Sequence, residues 1–559
     1  MPRMTLSSGR ISITFGAQPF SIASIVNEAT GETVMRSGTH ELILRLPHRI
    51  SEPVFFTEVV SFGKSPSGVR WQLEDSDHQH RVVLETSATA DGIRFDARVE
   101  AAQPVWMLEW RIRELDAREI VLPALGGQSL GSRMPKDTTL SFKYPFWWNA
   151  QFVLAPGKGG GFWLRTMDSD PIFKLVRVKR TGAGFQLTYG IEATAPLTSA
   201  SLGGSWFLDC YRGSWRVPTE MHRAWMEEAF GLQPLEKNPA APAWSRDIDF
   251  VLELWGMGKE TPVPMHTFAQ MEARIKAFRK LHDPGRTLLY LPGFAEHGID
   301  SRAPRYNPGE ALGGRDGFLR LMESAHRLGY RVMPHTNVLC LTFEHPEYNR
   351  FRDHVVVDAF GHEQGWALDI DGDWLAEPYF SYVNPGVRAW GDLMKGVIGE
   401  LVREYGADAI FLDQTLLAFN VSRGPNFVTG MREHVQRLQK AFPQTLFAGE
   451  GLHEQVIAAL PFAQIHGIDS ISEVHGLEGR MRWRQAHPVS TTLFGPYTRF
   501  CAHLLTRHPE HHFFPLQEAA YERLGVIPAL CLYSHNQPME HPGTDRMLRR
   551  SRRFRKGRS

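Results

Sequence analysis

Two short apolar runs in this chain end in a carboxylate. One reads Ala409-Ile410-Phe411-Leu412-Asp413 and is followed by Gln414; the other reads Thr445-Leu446-Phe447-Ala448-Gly449-Glu450 and is followed by Gly451. A helix-length segment, Asn426 to Phe442, separates them, so they read as consecutive parallel strands with Asp413 and Glu450 at their carboxyl ends. A β/α barrel keeps its chemistry at that end of its strands. Two carboxylates on one rim are also the minimum equipment for cleaving a glycosidic bond, one acting as nucleophile or base and the other as acid. The competing reading of Asp413 is a helix N-cap or a structural ion pair. Against it, the chain runs on through Leu416-Leu417-Ala418-Phe419, and the next clear helix starts only after Pro425. Glu450 could be a surface glutamate, yet Gly449 and Gly451 on either side suggest a close backbone approach.

Other polar strand ends converge on the same mouth. They are Glu253 with Trp255, His335 with Asn337, Gln414, and His535 with Asn536, while Glu473, or Asp469 before it, offers a third carboxylate. Imidazole and amide groups bind sugar hydroxyls, and an indole packs on the apolar face of a sugar. Trp147 and Trp148 are adjacent, and on a strand they would point to opposite faces, so Trp148 is a candidate for a substrate-facing ring. Metal ligation is not expected despite 24 histidines: His78/His80 and His511/His512 sit in polar stretches, and no His-Glu-x-x-His occurs. The Gly157–Gly161 stretch lacks the Gly-Lys-Ser/Thr ending of a phosphate loop and reads as a hairpin.

These residues need a scaffold. At 559 residues the chain is too long for one core. From Ile11 to about Phe207 it offers short alternating runs punctuated by Gly, Pro, Asp and Ser, among them Glu41–Leu46, Val54–Val60, Arg81–Glu85, Ile93–Val99, Val105–Ile112 and Gly184–Tyr189. That pattern predicts an antiparallel β-sandwich over residues 1–233, closing with a helix from Trp215 to Phe230. The proline-rich stretch Pro234–Ala243 reads as a connector. Beyond it strand and helix alternate: strand Asp247–Trp255, helix Met265–Leu281, strand Arg286–Pro292, helix Gly317–Leu328, strand Arg331–Pro334 and helix Pro385–Tyr405, with later strands at Ile465–Ile471 and Val526–Tyr533. The fold class is α/β, a TIM-type (β/α)8 barrel over residues 244–540 behind the sandwich, with the sixth and seventh strands not placed.

The net charge of +1 argues against a polyanion-binding surface over the whole chain, although the last fourteen residues, Arg546 to Ser559, carry eight basic groups and no acid. Residues 541–559 are expected to be a solvated, disordered tail rather than a nucleic-acid contact. No signal-peptide pattern and no run of ~18 apolar residues is present, and four scattered cysteines, Cys210, Cys340, Cys501 and Cys531, read as reduced thiols in a cytoplasmic protein.

The tract Tyr382-Val383-Asn384-Pro385, then Trp390, then Glu404 through Gln414, resembles the fourth-strand region of barrel glycoside hydrolases related to endo-α-N-acetylgalactosaminidases, a group that includes domains of unknown function. Tyr211-Arg212-Gly213-Ser214-Trp215 followed by Trp225 is similar to the junction preceding their barrel, and the resemblance extends over roughly residues 90–540. α-Amylase-type enzymes are more distantly similar, with Phe411 standing where they place an arginine. The resemblance implies Asp413 as nucleophile and Glu450 as acid/base, the latter kept protonated by its neighbours, in a retaining cleavage of an α-linked oligosaccharide or glycoside that needs no metal or organic cofactor. The expected partner is a carbohydrate, with no nucleic acid or membrane, and the oligomeric state is not read from the residues. Two rivals stand beside this reading: a metal-dependent barrel hydrolase of amides or phosphoesters, and a carbohydrate-binding protein without turnover.

Overall fold

The computed structural model describes residues 3–16, 21–182, 184–261, 263–369, 373–467 and 483–556. The chain divides into two units, one of residues 1–231 with 480–493, the other of residues 232–479 with 494–559.

The first unit is built from antiparallel strands whose burial alternates residue by residue, as in Ile11–Gly16, Gly68–Asp75 and His80–Thr89. A period of two turns every second side chain into one face. The buried side gathers large aromatic rings, with Phe15 edge-on to Trp71 at 5.1 Å, Phe95 against Trp110 at 4.5 Å and Trp110 against Trp206 at 5.8 Å. Each of the six short runs read from the sequence lies in or overlaps a strand of this unit. One strand comes from far along the chain: Arg484–Ala486 pairs antiparallel with Gln128–Leu130, and Arg484 Nε donates to Gln128 Oε1 at 2.9 Å. The glycine stretch is a hairpin between Phe152–Pro156 and Gly160–Arg165. Its Lys158 and Gly159 N–H groups both donate to Glu32 Oε1 at 3.1 Å, so an internal carboxylate takes the place a phosphate would need. The helix Arg216–Phe230 follows and stops at Gly231, whose φ of 59° suits a residue without Cβ.

The second unit carries eight parallel strands, β1 (Phe250–Leu254), β2 (Thr287–Leu291), β3 (Arg331–Asn337), β4 (Ala409–Asp413), β5 (Leu446–Gly449), β6 (Phe462–Gln464), β7 (Arg499–Cys501) and β8 (Ala529–Leu532). They hydrogen-bond in the order β7-β6-β5-β4-β3-β2-β1-β8. A bridge between Cys501 and Ile527, with Ala502 N–H donating to Ile527 O at 2.9 Å, brings the two ends together, so the barrel is nearly closed. Strands β1, β2, β4, β5 and β8 are buried along their whole length, as strands covered on both faces must be. Helices Phe268–Phe278, Gly314–Leu328, Arg388–Arg403 and Phe427–Ala441 follow the first four strands. Thr267 and Gln270 close a capping box on the first of these, and Asn426 caps the last by accepting from Thr429 N–H.

Regular alternation fails after β5. Only a single turn, Ile457–Ala459, separates β5 from β6, and part of the segment between β6 and β7 belongs to the first unit. The strand expected at Ile465–Ile471 is instead Phe462–Gln464, and residues 468–482 lie outside the described ones. Between β3 and β4 a small antiparallel sheet intervenes, made of Cys340–Thr342, Gly365–Leu368 and Glu377–Tyr382, with the last in the middle.

The basic end is folded as far as residue 556, not disordered. Pro542–Ser551 is a helix that buries Met547 and Leu548, and Arg550 forks onto Glu518 at 2.9 and 3.0 Å while donating to Val526 O at 2.6 Å. Arg555 donates to Asp249 Oδ2 at 2.7 Å. The arginines are accommodated because acidic partners wait on the barrel, which composition of the tail alone does not reveal. Removing one member of a buried pair strands the other charge, so Arg550→Met is expected to cost about 3 kcal/mol. Glu518→Met/Arg550→Met together is expected to recover most of that loss; urea denaturation of the three proteins checks it.

Candidate active site

β4 delivers Asp413, and the next residue turns sharply: Gln414 has a φ of 64°, a left-handed backbone in a residue with a side chain. This turn aims the Gln414 N–H at Glu450 Oε2, 3.0 Å away, and lets its side-chain Nε2 donate to Tyr382 Oη at 3.0 Å. Glu450 follows β5, its own N–H donating to Leu412 O at 3.2 Å, so the two carboxyls project from adjacent strands. The flanking glycines serve this approach: a Cβ on Gly449 would collide with Thr415 Oγ1, and Gly451 has a φ of 74°.

Around Asp413 runs a chain of polar groups. Asn337, at the end of β3, donates from Nδ2 to Asp413 Oδ2 at 3.1 Å and to Asp300 Oδ2 at 3.3 Å. Its Oδ1 accepts the Leu339 and Cys340 N–H groups at 3.0 Å each, which fixes which way the amide points. Asp300 comes from the loop after β2, with His335 Nε2 at 3.2 Å from its Oδ1 and Lys259 Nζ at 3.8 Å from its Oδ2. The other ring nitrogen of His335 lies 2.7 Å from Tyr290 Oη, and the ring stacks on Phe411 at 5.4 Å. Phe411 also packs on Tyr290 at 4.8 Å, so this position holds an aromatic wall in place of a charge.

Glu450 has a different escort. Its Oε1 lies 3.2 Å from His466 Nε2 and 3.3 Å from His503 Nε2, imidazoles placed just after β6 and β7. Burial pushes the Glu450 carboxyl up, but the charge and hydrogen bonds of His466 and His503 outweigh it and hold the group below the ordinary carboxylate range. Asp413 moves the other way: burial raises it well above the usual value, and the charges of Glu450 and Asp300 add to the shift. The two titrate as a pair, with the proton favoured on Asp413 and the charge on Glu450. This reverses the expectation that its neighbours keep Glu450 protonated, because those neighbours are imidazoles, which no strand-end pattern reveals. For Asp300, burial raises the carboxyl, while His335 and Lys259 together bring it below its usual value.

His335, Asn337, Gln414, Asp413 and Glu450 are therefore gathered at one place, as the sequence suggests. Glu253 and Trp255 are spent on each other instead: Trp255 Nε1 donates to Glu253 Oε1 at 2.6 Å, Cys531 Sγ lies 3.0 Å from Oε2, and the fully buried carboxyl is pushed up to about 8 by desolvation. They brace the barrel interior and offer no free polar face. His535 and Asn536 are exposed in the loop after β8, where their N–H groups donate to Met265 O and Ser534 Oγ, both at 3.2 Å, and not to either carboxyl. Trp148 lies in the core of the first unit, donating to Phe152 O at 3.1 Å and packed edge-on to Tyr189 at 4.9 Å. It is not substrate-facing, because residues 145–147 form a turn, in which Trp147 and Trp148 N–H both donate to Lys143 O, and strand alternation does not apply. Glu473 and Asp469 lie outside the described residues. Missed by sequence reasoning were Lys259, Asp300, Tyr382, His466 and His503. For Asp300 and Tyr382 the available signal was the length of the segments after β2 and β3.

Two sets of donor atoms cluster as metal ligands do: Glu450, His466 and His503, and Asp300, His335 and Asp413, each within 4.8 Å of one another.

Residues 201–463, under half of the chain, match the family model "Domain of unknown function (DUF6259)". No curated protein matches the sequence. Among solved structures, the α-N-acetylgalactosaminidase NagBb from Bifidobacterium bifidum superposes in its GalNAc complex with a TM-score of 0.71 at 13% identity, over 99% of this chain and 93% of that one. Its ligand-free form gives 0.73 at 14% identity with the same coverage. The GH36 α-galactosidase AgaA from Geobacillus stearothermophilus gives 0.50 at 10% identity, over 99% of this chain and 86% of that one. At these identities the likeness establishes a shared fold.

The two raised carboxyls, Asp413 and Glu253, carry the same pH signature. A carboxyl raised in the folded state weakens folding as pH climbs from its unfolded value, about 4 for Asp413, through its folded one. Asp413→Asn is therefore expected to melt higher than wild type at pH 7, with the difference vanishing near pH 4. For Glu253, raised to about 8, wild-type stability is expected to fall between about pH 4.5 and 8, and Glu253→Gln to flatten that slope in thermal melts.

Proposed function

We propose that this chain is a retaining glycoside hydrolase acting on α-linked sugars of the galactose type, with Asp413 as nucleophile and Glu450 as acid/base. The observation that carries the reading is a pair of buried carboxyls from adjacent barrel strands, with Glu450 accepting the N–H of Gln414, the residue after Asp413. Retention requires the two carboxyls to stand roughly 5–5.5 Å apart, whereas roughly 6.5–9.5 Å accompanies inversion. The NagBb and AgaA likenesses, to enzymes named for α-linked galactosamine and galactose, support the sugar class. The four buried, unpaired thiols support a reducing, cytoplasmic setting. No helix among the described residues is long and apolar enough to cross a membrane. We read the antiparallel first unit as a sandwich around its shared aromatic core.

In this reading the carboxyl pair already holds one proton, and catalysis needs it on the other partner. Asp413, ionised as positive charge grows at the anomeric carbon, forms the C–O bond to the enzyme while the glycosidic bond breaks and Glu450 gives its proton to the leaving oxygen. His466 and His503 stand at Glu450 Oε1, where an imidazolium can supply that proton and take it back. Glu450 then removes a proton from the water that releases the sugar. Asn337 holds Asp413 at the angle of attack, and the Gln414 N–H does the same for Glu450.

A second reading rests on the Glu450, His466 and His503 donor set, which suits a divalent transition metal in a hydrolase of another class. Stoichiometric zinc or manganese in the purified protein, with activity lost to chelator, would favour it over the first.

On aryl α-glycosides, Asp413→Asn and Glu450→Gln are each expected to lower kcat/KM by about 10²–10⁴-fold. Product stereochemistry followed by NMR is expected to show retention. A 2-deoxy-2-fluoro glycoside is expected to leave a covalent adduct on the peptide bearing Asp413 in wild type and none in Asp413→Asn; inversion, or an adduct elsewhere, rejects the assignment.

A further inference from the structure

The small sheet inserted after β3 has one face that leads out of the carboxylate site. On its central strand Phe380 and Tyr382 alternate onto the same side, and Trp366 of the neighbouring strand pairs directly with Phe380. Tyr382 belongs to the site, since its hydroxyl accepts from Gln414 Nε2. Its ring lies 5.9 Å from that of Phe380, which in turn stacks on Trp366 at 6.4 Å with planes only 18° apart. Burial grades along this row: Tyr382 and Phe380 are covered, while Trp366 leaves 42% of its surface open. Lys259, which sits 3.8 Å from Asp300, places its ammonium 5.2 Å from the centre of the Phe380 ring and so ties the inner part of the row to the polar cluster.

An indole held open at the end of an aromatic row keeps one ring face available for stacking. What it offers is a flat apolar surface two ring spacings outward from Tyr382, the residue that holds Gln414. We propose that Trp366 forms a second sugar-binding subsite, on which a pyranose remote from the cleaved bond stacks, so that the substrate is an α-linked oligosaccharide rather than a simple monosaccharide glycoside. The occupant is a sugar because the row is continuous with the site we read as a glycosidase centre, and this inference rests on that reading for the chemical class. Trp366 touches no group of the carboxylate cluster, so the subsite contributes to binding and not to the chemical step.

The test separates the two ideas by reading binding without turnover. Fluorescently labelled Asp413→Asn protein, and the same protein carrying Trp366→Ala or Trp366→Phe, are applied to an array of α-linked galactose and N-acetylgalactosamine mono-, di- and trisaccharides. Dissociation constants for the strongest di- or trisaccharide and its terminal monosaccharide are then measured by titration calorimetry. The expected result is an advantage of about tenfold for the longer sugar, lost in Trp366→Ala and largely kept in Trp366→Phe. An equal affinity for long and short sugars, an advantage that survives Trp366→Ala, or no glycan bound at all overturns the subsite. Should the wild type hydrolyse no glycoside while the Trp366-dependent advantage is present, the subsite stands and the hydrolase reading falls.

Discussion

The structure depends on how two buried carboxyls tolerate each other. Asp413 and Glu450 cannot both be ionised cheaply inside a barrel, where the dielectric is low and each charge raises the other. The fold resolves this asymmetrically. Two imidazoles and a backbone N–H face Glu450, and they favour its charge. Asp413 receives a single amide from Asn337 and sits between two other acids, so it retains the proton. Each of these partners comes from a different strand end, β3, β4, β6 or β7, and so the electrostatics of the pair are a property of barrel closure rather than of any local motif.

That division also explains what could be read in the residues and what could not. The strands β4 and β5 are legible because each is a continuous apolar run stopped by an acid, the pattern a strand covered on both faces imposes. Asn337 and His335 are legible for the same reason at the end of β3. The strands β6 and β7 are three residues long, too short for any periodicity, and so the histidines that follow them have no frame to be read in. Asp300 reaches the site from a loop, through a left-handed backbone at φ 56°, and nothing in its neighbours marks it. Trp148 shows the reverse failure, where a rule true of strands was applied to residues that the chain folds into a turn. The basic tail shows another: its charges are plain in the sequence, whereas Glu518 and Asp249, the acids that seat them, lie 32 and 306 residues away.

Phe411 shapes the charge distribution around Asp413. An arginine at that place would put a cation beside Asp413, whereas here a phenyl ring packs on Tyr290 and His335, and the nearby ammonium is that of Lys259, 3.8 Å from Asp300.

The strand Arg484–Ala486 has a further consequence. It pairs with the strand Gln128–Leu130, Arg484 lying 356 positions along the chain from Gln128. During synthesis the edge of that strand emerges from the ribosome long before its partner, and until then its ladder groups are open to solvent or to another chain. The contact order of the first unit is therefore high, and a fragment ending at residue 231 would lack one of its own strands. Maturation of the β-rich part is in this way tied to translation of most of the barrel, a built-in delay that neither unit would have if the gene were simply cut between them.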